Sequence, residues 1–147
     1  MNSTGKKPKI LFVCIGNMIR SQMAEGFARE FGGSFLEVYS AGIAPTGAVS
    51  EEAIIVMDEK GIDMTKHYSK GLRDVPFDEM DYVVSLFGRP VDTFCPDSFK
   101  GRKIDWDITD PLGRSFEFFR TVRDDMELKV KDLVQQIWRE SSATRTK

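Results

Sequence analysis

Six residues, KILFVC (Lys9 to Cys14), set the strongest limit on how this chain can fold. They are almost wholly apolar and run straight into a loop containing Gly16 and Asn17. A short apolar run bounded by turn residues suits a strand buried on both faces of a parallel sheet. Its unbroken apolar part ends at Ile15, far too short to span a bilayer. A helical pattern follows from Ser21. Met23, Ala24, Phe27, Ala28 and Phe31 recur at steps of three and four before Gly32 and Gly33 stop it.

The alternation continues down the chain. Ser34 to Gly42 reads as a second strand, Met80 to Phe87 as a third, and Arg102 to Trp106 as a short fourth. A helix is expected to start at Ser50, with Glu51 and Glu52 at its positive end and Gly61 as its stop. Phe119, Val122, Met126, Val130, Leu133, Val134 and Ile137 mark a last helix after Ser115. Strands alternating with helices predict an α/β fold: one domain with an open, twisted, parallel four-stranded sheet and helices on both faces. The domain is expected over 9–140, with flexible tails at 1–8 and 141–147. In such sheets ligands bind beyond the carboxyl ends of the strands, and the first strand ends at Cys14.

Charge narrows the partners. With a net charge of −2, nothing points to nucleic acid or an anionic membrane as a bulk partner. The basic start, MNSTGKKPK, leads into no apolar segment of signal-peptide length, so a cytoplasmic monomer is expected. Cys14 and Cys95 are the two cysteines; one bridge is open to them, but such a pair is more often reduced. One histidine, His67, and no close cysteine pair give no zinc pattern, and no metal or cofactor is expected. His67 reads as structural or solvent-facing.

The loop Cys14-Ile15-Gly16-Asn17-Met18-Ile19-Arg20-Ser21 carries the chemistry. Backbone N–H groups of a tight loop entering a helix make an anion cradle, which the helix dipole reinforces. That cradle and Arg20 would favour a thiolate at Cys14. Arg20 offers a planar fork to two oxygens of a tetrahedral oxyanion. Ser21 can donate a hydrogen bond to the sulfur. Gly16 allows a turn that a side chain would obstruct, and Asn17 suits a left-handed position. A structural cysteine beside an unrelated arginine would explain an isolated C-x5-R, but strand, spacing, Gly-Asn and helix coincide here.

The stretch VCIGNMIRSQMAEG resembles the signature of the low-molecular-weight protein tyrosine phosphatase superfamily, which includes the thioredoxin-linked arsenate reductases. YSAG (Tyr39 to Gly42), AIIVMDEKGID (Ala53 to Asp63), DYVVSL (Asp81 to Leu86), Asp110-Pro111 and FFRTVRDDM (Phe118 to Met126) fall in family order. The resemblance implies Cys14 as nucleophile, the amides of Ile15, Gly16, Asn17, Met18, Ile19 and Arg20 as oxyanion ligands, and Ser21 and Ser40 as supports. Asp110 matches the family's general acid; Pro111 holds it out of helix. Asp105 and Asp107 are its local competitors.

Two reactions begin at this loop. The leading expectation is hydrolysis of phosphomonoesters, phosphotyrosine-type or small aryl phosphates, through a phosphocysteine. The alternative is arsenate reduction, which needs a second thiol to release arsenite. In the reductases the first resolving cysteine follows the third strand; here Phe87 takes its place, while Cys95-Pro96 matches the second. Either Cys95 attacks the adduct, or thioredoxin, glutaredoxin or a small thiol does, or arsenate is not reduced. The sequence resembles the reductase branch in SQMAEG, and Leu112-Gly113 supplies no aromatic wall for phosphotyrosine. In some reductases counterparts of Asn17, Glu25 and Ser40 form a potassium site completed by an aspartate. Lys70 appears in that last place, so no potassium dependence is expected. A non-catalytic oxyanion-binding module is a third reading.

Overall fold

A computed structural model describes residues 6–145 of the chain. Its four strands are β1 (Lys9–Cys14), β2 (Glu37–Gly42), β3 (Tyr82–Ser85) and β4 (Arg102–Asp105). They form one parallel sheet in the order β2-β1-β3-β4. The connections leave β1 in opposite directions, so the switch point of the sheet lies at its carboxyl end. There Val13 is opposite both Ala41 and Ser85, and Cys14 is opposite Gly42.

Three α-helices complete the fold: α1 (Arg20–Gly32), α2 (Glu51–Asp58) and α3 (Phe116–Arg145). Their buried faces join Ile10, Phe12 and Cys14 of β1 in one core, on one side of the sheet. Leu11 and Val13 point the other way, into a second core with Val75, Met80, Val91 and Phe99. Three 3₁₀ turns, Leu72–Asp74, Phe77–Glu79 and Val91–Thr93, cover that side. The expected open, parallel four-stranded sheet is formed, with the three α-helices together on one face and short 3₁₀ turns in place of helices on the other.

Boundaries moved for local reasons. Leu36 and Phe35 both donate to the Gly32 carbonyl, at 2.7 and 3.0 Å, which holds Ser34 and Phe35 in a turn and delays β2. Ser50 caps α2 as expected, its Oγ accepting from Ala53 N at 3.2 Å. α3 continues through Arg145 and Ser141 is buried, so the expected boundary at 140 falls inside a helix. Pro8 is tied into the sheet by Glu37 N, which donates to its carbonyl at 2.9 Å. Residues 1–5 and 146–147 of the expected tails lie outside the described residues. Among the described residues no helix is long and apolar enough to cross a membrane.

Candidate active site

Cys14 ends β1 and Arg20 begins α1, so the five residues between them must turn within a short span. Their carbonyls are engaged outward. Cys14 O, Ile15 O, Gly16 O and Met18 O accept from the amides of Ile43, Ala44, Thr46 and Ser50, at 2.8 to 3.1 Å. Among the described residues no amide from Gly16 to Ile19 donates a hydrogen bond. The first turn of α1 also has no side-chain cap. Donors thus remain for an anion, and the positive end of the helix adds to them.

Gly42 explains how the loop packs so tightly on β2. A Cβ there would stand 2.5 Å from Ile15 O, 2.7 Å from Asn17 N and 2.9 Å from the Gly16 carbonyl carbon, all backbone. Only glycine fits this approach.

Asn17 is the hub of the loop. It is fully buried with φ of 49°, the one non-glycine residue at positive φ among the described residues. Its Oδ1 accepts from Lys70 N at 2.7 Å and Gln22 Nε2 at 2.9 Å. Its Nδ2 donates to Ser21 Oγ at 2.7 Å and to Ser40 Oγ at 3.0 Å. All four side-chain valences are therefore filled. Ser21 Oγ in turn lies 2.9 Å from Cys14 Sγ.

Behind Asn17 sits a charged cluster. Ser40 Oγ donates to Glu25 Oε1 at 2.5 Å, and Arg29 and Lys70 pair with Glu25 at 2.8 and 3.6 Å. Burial pushes the Glu25 carboxyl up, but the Ser40 bond and the nearby Lys70, His67 and Arg29 charges hold it below its ordinary value. Burial lowers Lys70 despite the Glu25 charge. The Lys70 ammonium also donates to Tyr68 O at 2.8 Å, so a fixed cation stands among these oxygens. Among the described residues no group of three His, Cys, Asp or Glu side chains could hold a metal ion.

Two members of this scaffold escaped sequence reasoning. Gln22 is fully buried and bonds Asn17 and Tyr68 O, and His67 Nδ1 is 2.9 Å from Gln22 Oε1. Burial lowers the His67 imidazole, ahead of an opposing Glu25 charge. His67, expected to be structural or solvent-facing, is half-buried, and its partner Gln22 lies next to the loop.

Arg20 and Asp110 meet across the cleft. Arg20 is buried; its Nη1 donates to Ile108 O at 3.1 Å and its Nη2 lies 3.6 Å from Asp110 Oδ2. Leu112 N donates to Asp110 Oδ1 at 3.0 Å, holding the carboxylate at the start of the turn around Gly113. Cys14, Ile15, Gly16, Met18, Ile19, Arg20 and Asp110 line one cleft of about 160 Å³, closed by Ala44, Thr46 and Leu112. Among the described residues no aromatic side chain lines it. Asp105 accepts from Val91 N and Asp107 lies against Gly88, so neither competitor reaches the cleft. The arrangement presents a thiol, a guanidinium fork, free amides and a carboxylate to one small volume. It can bind a tetrahedral oxyanion, attack it and supply a proton.

Cys95 is not part of this group. Both cysteines are free thiols, and Cys95 packs against the second core, on the side of the sheet opposite to Cys14. Burial, with the Asp92, Asp78 and Asp97 charges, pushes its thiol up against an opposing Lys103.

Comparison with known proteins identifies the family. Residues 9–143 match the family described as low molecular weight phosphotyrosine protein phosphatase, and the chain belongs to that family. The glutaredoxin arsenate reductase of Synechocystis sp. is 39% identical over 131 residues, covering 88% of this chain and 98% of that protein. A solved arsenate reductase in the phosphate binding state superposes with a TM-score of 0.77 at 36% identity, covering 88% of this chain and 98% of the other. The YwlE arginine phosphatase from Geobacillus stearothermophilus gives 0.81 at 29% identity, covering 92% and 96%.

Proposed function

We propose that the chain reduces arsenate to arsenite at Cys14, and that a thiol from outside the chain resolves the cysteine–arsenic adduct. The observation that carries this reading is the cleft itself. A thiol, Arg20 and Asp110 converge on about 160 Å³ with aliphatic walls, which suits a bare oxyanion better than an aryl phosphate. The reductase names of relatives that match nearly the whole chain support it.

In this reading Arg20 and the amides from Ile15 to Arg20 bind the oxyanion. The Cys14 thiolate attacks arsenic, an As–OH bond breaks, and Asp110 gives the leaving oxygen its proton as water. An external thiolate then attacks Cys14 Sγ. The S–S bond forms, the S–As bond breaks, and its electron pair stays on arsenic, which passes from the pentavalent to the trivalent state. A second thiol frees Cys14 as the disulfide leaves. Overall, arsenate and two thiols give arsenite, one disulfide and water. The name of the Synechocystis relative supports a glutaredoxin-linked thiol source.

The same three residues also suit hydrolysis of phosphomonoesters, with water attacking a phosphocysteine and Asp110 as base. The family description favours that second reading. One paired assay separates them: arsenite release with glutathione and glutaredoxin or with thioredoxin, beside hydrolysis of p-nitrophenyl phosphate. Arsenite formation that needs Cys14 and glutathione is the expected result. Phosphatase turnover without arsenite would replace it with the second reading, and inertness in both assays would leave an oxyanion-binding module.

A further inference from the structure

We infer that Phe87 sets the class of reductant: it latches the Cys95 segment on the far face of the sheet, so a small external monothiol, not Cys95, resolves Cys14. This deepens the proposed reduction and rests on it for its biological meaning.

The placement follows from the sheet. Side chains alternate along β1, so Cys14 faces the helical core while Leu11 and Val13 face the second core, where Cys95 packs. Leu86 N donates to Val13 O at 2.9 Å, so the chain leaves β3 beside Cys14 and reaches Phe87 at the carboxyl end of the sheet. Phe87 is the next residue, and its ring packs against both cores. Position 87 is therefore near the catalytic loop, whereas Cys95, eight residues later, has crossed to the opposite side.

The crossing is held by rings. Phe87 stacks on Phe94 with centroids 6.0 Å apart and an interplanar angle of 24°. Phe94 meets the edge of Phe77 at 6.4 Å, and Phe77 meets Phe99 at 5.4 Å. Backbone contacts fix the ends: Phe87 bridges Asp107, Gly88 N donates to Trp106 O at 3.3 Å, and Val91 N donates to Asp105 Oδ1 at 2.9 Å. A disulfide needs Cα atoms within roughly 4.4–6.8 Å. Cys95 reaches Cys14 only if this whole segment peels off the second core. With the latch closed, the intermediate that forms is a mixed disulfide between Cys14 and the small thiol.

The test reads disulfides directly. Wild-type protein is treated with arsenate and limiting glutathione, and separately with diamide and glutathione without arsenate, then acid-quenched and mapped by mass spectrometry. Cys14–glutathione and no Cys14–Cys95 bridge are expected in wild type. In Phe87→Ala the bridge should appear, and Cys95 alkylation by iodoacetamide should rise about tenfold, the factor that loss of one aromatic pair allows. Phe94→Leu, a milder change to the same stack, gives the same readout should Phe87→Ala not fold. A Cys14–Cys95 bridge in the wild type overturns the latch, as do variants whose Cys95 reacts no faster and forms no bridge. The diamide arm needs no arsenate, so it judges the latch even if arsenate reduction fails.

Discussion

Ser21 Oγ lies 2.9 Å from Cys14 Sγ and accepts from Asn17 Nδ2 at 2.7 Å. A Cys14 thiolate can only accept, so in that state Ser21 keeps its bond from Asn17 and turns its own hydroxyl hydrogen toward the sulfur. The same amide donates to Ser40, which passes a hydrogen bond on to Glu25. Two chains of donors thus diverge from the Asn17 amide nitrogen, one running through Ser21 to the Cys14 sulfur and one through Ser40 to the buried Glu25 carboxylate.

Ser21→Ala should weaken this support without disturbing the core. A hydrogen bond to a charged group contributes about 1.5–3 kcal/mol, so iodoacetamide should alkylate Cys14 roughly tenfold more slowly or worse at neutral pH. Alkylation at the wild-type rate would mean that the serine does not act on the sulfur.

Asp110→Asn keeps the shape of the acid but removes its proton. Turnover of arsenate or p-nitrophenyl phosphate should fall about 10²–10⁴-fold, as for loss of a general acid. Phosphate affinity, read from competition, should fall far less, because Arg20 keeps its Ile108 anchor. A matching loss in both would make Asp110 a binding residue.

Gly42→Ala should close the oxyanion loop. Its new methyl group meets the backbone of Ile15, Gly16 and Asn17 at 2.5 to 2.9 Å, and backbone cannot swing aside as a side chain can. Overpacking of this kind costs about 1–3 kcal/mol, and protection of Cys14 from alkylation by phosphate should be lost. A variant that retains both stability and phosphate protection would show that the loop has room to move.

Lys70→Met removes the cation beside buried Glu25. Breaking a buried ion pair costs roughly 3–5 kcal/mol, and the loss should fall at the low end because Arg29 remains on the same carboxylate. Urea denaturation measures it. Wild-type kcat/KM should not respond to potassium, since an ammonium already stands among Glu25 Oε1 and Tyr68 O. A potassium-stimulated wild type would refute that substitution.

The β1–loop–α1 unit was legible because each residue reports its own constraint: an apolar run, a Gly-Asn turn, a helical stripe. Of what surrounds it, Glu25, Ser40 and Lys70 were legible through the family resemblance, and Gln22 and the Tyr68 carbonyl were not. α1 is buried from Arg20 to Ala28, and its polar Gln22 and Glu25 face the Asn17 scaffold rather than solvent. A helical stripe counts apolar residues and misses polar ones buried by partners distant in sequence, here Tyr68 and Lys70. The carbonyl of Ile108 that anchors Arg20 has no sequence signature, because every residue has a carbonyl. Phe87 was visible as a departure from the reductase pattern. Its stack on Phe94 exists only once the chain has folded.

Acid should unlock the junction of α2 and α3 as Glu59 takes up a proton. Glu59 follows the last turn of α2 and takes both fork nitrogens of Arg120, at 3.0 and 2.9 Å, plus Arg123 Nη1 at 2.7 Å. The Arg120 and Arg123 hydrogen bonds hold its carboxyl well below the ordinary 4.5, at about 2. Arg123 is buried, donates to Val56 O at 2.9 Å, and has its charge compensated by Glu59 together with Asp124, whose Oδ1 accepts from Nε at 2.9 Å. A carboxyl with a depressed folded pKa stabilises the fold fully above its unfolded value, and that contribution is lost as pH falls through the folded one. The advantage of wild type over Glu59→Gln should thus be complete above about 4.5 and gone near about 2. Thermal midpoints of both proteins across that window measure it. A constant difference throughout would mean that the arginines do not act on Glu59 through its charge.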